Sequence, residues 1–303
     1  MAATPSAATY GELTTFTLAV ASRSGLTPGG LVGFYDGGVL VGTAQLDAGG
    51  AAVFTMGTLT VGSHAITAIY AGDAYFLALA SAPIAIDLAR NDTSGGAIVS
   101  SDPQVYYGET VTLTATFSAV SAGSAMTGTV AFYDGDVYLG SAPLAGPGSS
   151  GLAASAPPTI RGQAVLPGAR LAVGGHVVRA VYGGDANYAP VTSLVPVSVL
   201  VDPAGTSTSL GAATSSDGST VLTAAVVATT PGDAPLDGAV SFYNGATLLG
   251  TAPVVNGSAS LNVGALPLGD STLRAVYTSA DGTSSGQRGL DRPRLVGAAR
   301  GRA

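Results

Sequence analysis

The sequence predicts an all-β protein made of three tandem β-sandwiches. Three observations carry that prediction. First, the string Phe-Tyr-Asp/Asn-Gly occurs three times: Phe34, Tyr35, Asp36, Gly37; Phe132, Tyr133, Asp134, Gly135; and Phe242, Tyr243, Asn244, Gly245. Second, Ala-Ile/Val-Tyr follows each copy and ends at Tyr70, Tyr182 and Tyr277. Motifs recurring in fixed order mark a repeated structural unit. Third, apolar residues alternate with Thr, as in Val111-Thr-Leu-Thr-Ala-Thr-Phe117. That is the period of a strand with one buried face, and β-branched Thr suits the pleat.

Taken in chain order, Phe16, Leu18 and Val20 share one face of the first strong strand. Tyr-Gly-Glu precedes that strand at Tyr10–Glu12 and again at Tyr107–Glu109, while the third copy has Asp217-Gly218-Ser219. Val32 and Phe34, Val130 and Phe132, and Val240 and Phe242 point inward in the next strand. Asp36-Gly37, Asp134-Gly135 and Asn244-Gly245 are then expected at the centre of tight hairpins, because Asn/Asp-Gly accepts the positive φ of a type I′ turn. A Gly step follows each hairpin, at Gly42, Gly140 and Gly250. In the Ala-x-Tyr strand, Ile66, Ala68 and Tyr70 share a face, as do Val178, Ala180 and Tyr182, and Leu273, Ala275 and Tyr277. Ala180 and Tyr182 are therefore expected to be buried and Arg179 exposed.

The repeats read as residues 1–89, 92–202 and 205–282, with a tail at 283–303. The second carries a turn-rich insertion near 146–160, and the first strand of the first is short or missing. After Tyr277 neither Gly-Asp-Ala nor a final apolar strand appears, so the third sandwich is expected to lack its last strand. The tail, rich in Arg, reads as a solvated extension. The chain is accordingly expected to be a fragment of a longer array, or a frame that departs from its parent near Gly282.

Composition narrows the chemistry. Hydrophobic residues make up 47% of the 303, and mean hydropathy is +0.43, enough for packed cores. Only 10% are charged, and the net charge is −7. All the basic residues are Arg, and Cys and Trp are absent. That excludes disulfides, thiolate metal sites and a Cys nucleophile. That net charge argues against nucleic acid as a partner, since phosphate binding needs clustered cations. No apolar run reaches the length of a membrane span, and residues 1–6 have none of the pattern of a signal peptide.

The remaining candidates have plainer readings. Asp73, Asp185, Asp134 and Asp136 could offer oxygens to Ca²⁺, but no loop shows a dense ligand series, and turn chemistry accounts for them. His64 and His176 occupy one repeat position in two different repeats, which suits turn capping rather than a metal pair. Glu12 and Glu109 are the only glutamates and are also repeat-equivalent, so a catalytic carboxylate pair is not expected. Tyr35, Tyr133 and Tyr243 fall on outer sheet faces and could stack on sugars, although sheet cover is the simpler reading. No cofactor or metal is expected.

These motifs together resemble the bacterial immunoglobulin-like domain of the group 3 type. The clearest copy is Asp102–Val201: Tyr-Gly-Glu, the Thr-alternating strand, Gly-Thr-Val-Ala-Phe-Tyr-Asp-Gly, Leu-Gly-Ser, Gly-Gly-His and Ala-Val-Tyr-Gly-Gly-Asp-Ala-Asn-Tyr. The resemblance spans roughly residues 5–282. It implies Ig-like sandwiches without disulfides or catalytic residues, in tandem arrays of secreted or surface-attached bacterial proteins. The implied role is a non-catalytic spacer or adhesive stalk, with surface glycans or cell-surface proteins as conceivable partners. The alternative is a carbohydrate- or matrix-binding accessory module of an extracellular protein.

Overall fold

The computed structural model describes residues 1–23, 25–119, 124–146, 160–229, 236–267, 271–285 and 288–290. Among these residues every regular element is a strand. In the first repeat these are β1 (Ala2–Thr4), β2 (Ala7–Thr9), β3 (Thr14–Ala19), β4 (Leu31–Asp36), β5 (Val39–Gln45), β6 (Ala51–Met56), β7 (Gly62–Tyr70), β8 (Leu79–Ala80) and β9 (Ile84–Ala89). The second has β10 (Thr93–Ser100), β11 (Gln104–Tyr106), β12 (Val111–Ala119), β13 (Thr129–Asp134), β14 (Val137–Pro143), β15 (Ile160–Ala169), β16 (Gly174–Tyr182), β17 (Val191–Thr192) and β18 (Val197–Asp202). The third has β19 (Ala204–Thr214), β20 (Thr220–Ala228), β21 (Ala239–Asn244), β22 (Thr247–Pro253), β23 (Ser258–Gly264), β24 (Leu273–Thr278), β25 (Ser284–Ser285) and β26 (Arg288–Leu290).

The first two repeats share one topology. A sheet β1-β3-β6 faces a sheet β2-β9-β7-β4-β5, and β10-β12-β15 faces β11-β18-β16-β13-β14. In each, the first strand is cut near a proline, Pro5 or Pro103, which has no N–H to give to a ladder. The piece after the cut joins the other sheet, where β2 pairs in parallel with β9 and β11 with β18. The third repeat has no proline there, and β19 runs unbroken beside β20 through nine residue pairs, from Thr206↔Ala228 to Thr214↔Thr220. Its sheets are β23-β20-β19-β25 and β22-β21-β24-β26.

Two compact units emerge: Met1–Val99 with Thr114–Leu166 and Arg179–Pro196, and Ser100–Leu113 with Pro167–Val178 and Val197–Ala303. The dividing line runs through the second repeat. In the first unit, Phe16, Val32, Phe34, Ile66, Ala68 and Tyr70 are buried in the core of the first sandwich. In the second, Leu222, Val240, Phe242, Leu273, Ala275 and Tyr277 form the equivalent cluster. Phe132, Ala180 and Tyr182 are likewise fully buried. The alternation read from the sequence thus sets the inward faces.

Three expectations need correction. The hairpins do not centre on Asp/Asn-Gly. Asp36 pairs with Val39, Asp134 with Val137 and Asn244 with Thr247, so the two turn residues are Gly37-Gly38, Gly135-Asp136 and Gly245-Ala246. Glycine is first of the two, with φ of 53°, 54° and 58°; Gly38 is also positive at 91°, so the first hairpin keeps the expected I′ form one residue later, while the other two take the Gly-x form. Arg179 is only partly exposed, at 39% of its side chain, because its guanidinium lies on the Tyr133 ring, 4.7 Å from the centroid. And the third sandwich has a closing strand: β26 pairs antiparallel with β24, from Arg274↔Leu290 to Val276↔Arg288. The tail therefore contributes strand at 284–285 and 288–290; its residues 286–287 and 291–303 lie outside the described residues. Most of the insertion, 147–159, also lies outside them.

Candidate functional site

The repeat motif is a set of structural contacts. Between Phe34 and Tyr35, Phe132 and Tyr133, and Phe242 and Tyr243 the register shifts by a bulge, and each Phe faces the glycine of the following step. That glycine is required by close packing. A Cβ on Gly42 would lie 2.2 Å from the Phe54 ring, and one on Gly250 would lie 2.9 Å from Leu261. Tyr35, Tyr133 and Tyr243 stand on the outer faces. Arg274 covers Tyr243 at 4.3 Å, as Arg179 covers Tyr133. Tyr138, 56% exposed, meets Tyr133 edge-on at 5.6 Å.

The buried Ala-x-Tyr tyrosines differ at their hydroxyls. Tyr70 donates to the Gly29 carbonyl at 2.9 Å, and Tyr277 donates to the Asp237 carbonyl. The Tyr182 hydroxyl makes no hydrogen bond of ordinary geometry among the described residues, and burial foremost, with the Asp185 carboxylate, raises its pKa.

Four of the carboxylates, on Asp73, Asp185, Glu12 and Glu109, are committed to backbone amides. Asp73 accepts from Gly29 N–H on one oxygen and from Tyr75 and Phe76 N–H on the other, at 2.7–3.1 Å. The Gly29 amide foremost, with the Tyr75 amide, holds the carboxyl down at about 2. Asp185 repeats the arrangement with Thr127, Asn187 and Tyr188. Burial opposes its charge, but these donors outweigh burial and its pKa is lowered. Glu12 closes a turn: its N–H donates to Thr9 O, and its carboxylate accepts from Thr9 N–H at 2.8 Å. Glu109 does the same with Tyr106 at 2.7 Å. Among the described residues no three His, Asp or Glu side chains converge as metal ligands.

His64 sits between two acceptors, Asp36 Oδ2 at 2.7 Å from Nδ1 and Thr60 O at 2.8 Å from Nε2. Burial works against its charge, yet the two acceptors raise its pKa. His176 Nε2 likewise reaches Ala172 O at 2.8 Å. In the third repeat Asn244 donates to Ser271 at 3.4 Å instead.

The most elaborate polar cluster joins the first repeat to the second. Asn91, only 5% exposed, stands between β9 and β10. Its N–H donates to Asn187 O at 2.9 Å, and its C=O accepts from Ala189 N–H at 3.0 Å. Its side-chain amide donates to Tyr10 O at 2.8 Å. The Tyr10 ring meets Tyr188 edge-on at 5.7 Å, and its hydroxyl donates to Ser124 Oγ. Tyr188 donates to Ser124 O at 2.7 Å, and Thr93 to Ala189 O at 2.7 Å. Asn91 and Ser124 carry no motif in the sequence; the Tyr-Gly-Glu string flagged Tyr10 without revealing its partner.

Among the described residues no helix is long and apolar enough to cross a membrane. No curated protein matches the sequence significantly. Solved structures with similar features include fibronectin(III)-like modules of CbhA from Clostridium thermocellum. These are 17% identical over 64% of this chain and 89% of that one, with a TM-score of 0.23. The central fibronectin-III array of RIM-binding protein is 13% identical over 92% and 93%, with a TM-score of 0.23. Latent PorU from Porphyromonas gingivalis is 12% identical over 95% and 32%, with a TM-score of 0.21. At such scores nothing about activity or partners follows. The family comparison is decisive: residues 1–89 and 98–201 each match the model of one bacterial domain type. Those spans hold the first two repeats, with the hairpin, Ala-x-Tyr and Gly-Asp-Ala features described above, and the chain belongs to the bacterial Ig-like domain (group 3) family.

Proposed function

We propose that this chain is a non-catalytic spacer or stalk segment of a bacterial secreted or cell-surface protein. The observation that carries the reading is the junction at Asn91. A linker that uses both backbone groups and its side-chain amide to hold the next repeat resists bending, and a spacer needs that property. Asp73, Asp185, Glu12 and Glu109 serve turns and His64 pairs with Asp36, so none of these described groups is left poised for chemistry. The first and third sandwiches each have their own core, so load on one need not unfold the other.

Single-molecule pulling on the whole chain tests the proposal. The expected record is a series of separate force peaks, each releasing roughly the length of one repeat, about 3.5 Å per residue. Extension without force-bearing steps would overturn it. A second reading, a glycan- or matrix-binding module, is favoured by the exposed Tyr138 beside Tyr133. Retention on a glycan surface that Tyr138→Ala abolishes without unfolding the chain would replace the spacer reading with that one.

A further inference from the structure

Two Asn-Gly pairs occur in the sequence, Asn244-Gly245 and Asn256-Gly257, both in the third repeat. Neither has a charged neighbour: Tyr243 and Ala246 flank the first, Val255 and Ser258 the second. As dipeptides they are chemically alike. The fold treats them differently.

Asn244 ends β21 and is paired on both sides, with Thr247 of β22 and Leu273 of β24. Its side-chain amide donates to Ser271 at 3.4 Å, and the Gly245 N–H donates to Thr272 O at 2.7 Å. The backbone nitrogen that follows Asn244 is therefore tied down. Asn256 stands at a hairpin tip instead. Val255 and Ser258 exchange both backbone hydrogen bonds, at 2.8 and 3.0 Å, so Asn256 and Gly257 are the two turn residues. Their φ values are 51° and 74°, both positive as a type I′ turn requires. Asn256 is exposed. Among the described residues its side-chain amide has no hydrogen-bond partner, and neither has the peptide group that joins it to Gly257.

An asparagine followed by glycine carries its own nucleophile. The glycine nitrogen gives its proton to hydroxide and attacks the asparagine Cγ, and with no Cβ beside it the approach is unobstructed. The N–Cγ bond forms, the Cγ–Nδ2 bond breaks, and the side-chain nitrogen takes a proton from water and leaves as ammonia. The product is a five-membered succinimide. Water then opens the ring. Attack at Cγ gives aspartate; attack at the main-chain carbonyl gives isoaspartate, in which the chain runs on through Cγ. The sum is one asparagine and one water converted to one acid and one ammonia. Closing the ring swings the Asn-Gly peptide plane until its nitrogen faces Cγ. A plane without hydrogen bonds swings in a small local opening, whereas a bonded plane must first break its bonds.

We propose that Asn256 is a site of spontaneous deamidation and isomerisation in the folded chain, and that the strand contacts of Asn244 protect the other Asn-Gly pair. The change adds a negative charge and, as isoaspartate, an extra backbone atom to a two-residue hairpin. The contact it disturbs is Val226 N–H to Gly257 O, 2.8 Å long, at the edge of the third core. The spacer reading rests on Asn91 and is independent of this site.

Incubation of the whole chain in mildly alkaline buffer, followed by peptide mapping with mass spectrometry, tests the proposal. Acid should accumulate at position 256 at least about tenfold faster than at position 244. In denaturant the two rates should converge, because the dipeptide is the same. Asn256→Gly accepts the positive φ, so it should abolish the product at this site and leave the chain folded. Equal rates at the two sites in the folded chain, no product at position 256, or a preference for that position that survives in denaturant, overturns the proposal.

Discussion

Phe34 and Phe242 are both fully buried in the same bulged register, each opposite a glycine, yet the sandwiches around them close by different means. In the first repeat the leading strand is cut at Pro5 and changes sheets, Glu12 ties the turn that follows, and His64 clamps Asp36. In the third the leading strand never breaks, a turn built on Asp217 replaces Tyr-Gly-Glu, and Asn244 and Ser271 replace the ion pair. The final strand differs too: β9 has six residues and pairs with β7, while β26 has three described residues, Arg288–Leu290, paired with β24. A shared core therefore does not dictate its edges. Inward alternation specifies the sandwich, and local chemistry decides how each end is finished.

The largest effect should fall on what the repeats share. Phe34→Ala and Phe242→Ala should each cost about 3–5 kcal/mol, the range for emptying a packed aromatic site. Denaturant unfolding followed repeat by repeat should show the loss confined to the mutated sandwich. A loss spread equally over all repeats would show that the cores are not independent.

A smaller effect separates the buried tyrosines. Tyr70→Phe and Tyr277→Phe each leave a carbonyl without its donor and should cost about 0.5–1.5 kcal/mol. Tyr182→Phe removes a hydroxyl that makes no hydrogen bond of ordinary geometry among the described residues, so it should cost less than either of the other two. Equal losses at all three would mean that Tyr182 has a partner in solution.

The smallest effect is set by pH. His64 has a raised pKa in the folded chain, so its contribution is fully present below the unfolded value of 6.5 and is lost as pH rises through the folded value. The first repeat should melt higher at pH 5.5 than at pH 8, within roughly the 0.2–1 kcal/mol of a single ion pair. His64→Gln should remove the difference. The third repeat, with Ser271 at this position, should show none from this source.

The inward residues were legible because burial acts through a period of two that one sequence displays. Phe132, Ala180 and Tyr182 could be assigned to the core without knowledge of any partner strand. The turn centre was misplaced by one residue because Asp-Gly and Gly-x hairpins share a glycine, and only the register separates them. β26 was illegible for a different reason. Arg-Gly-Leu carries no alternation, and it becomes a strand by pairing with β24, a tertiary cause. Asn91 looked like linker because its bonds go to residues nearly a hundred positions away, and no local pattern encodes them.

The central claim is that the first repeat is held firmly to the second. The chain has no cysteine, so Val39→Cys and Val137→Cys, both at exposed positions, can be spin-labelled without background. Pulsed dipolar measurement between them should give one narrow distance distribution that broadens when Asn91→Ala and Tyr10→Ala are added. A broad distribution in the otherwise unaltered chain would show a free hinge at Asn91 and contradict the account.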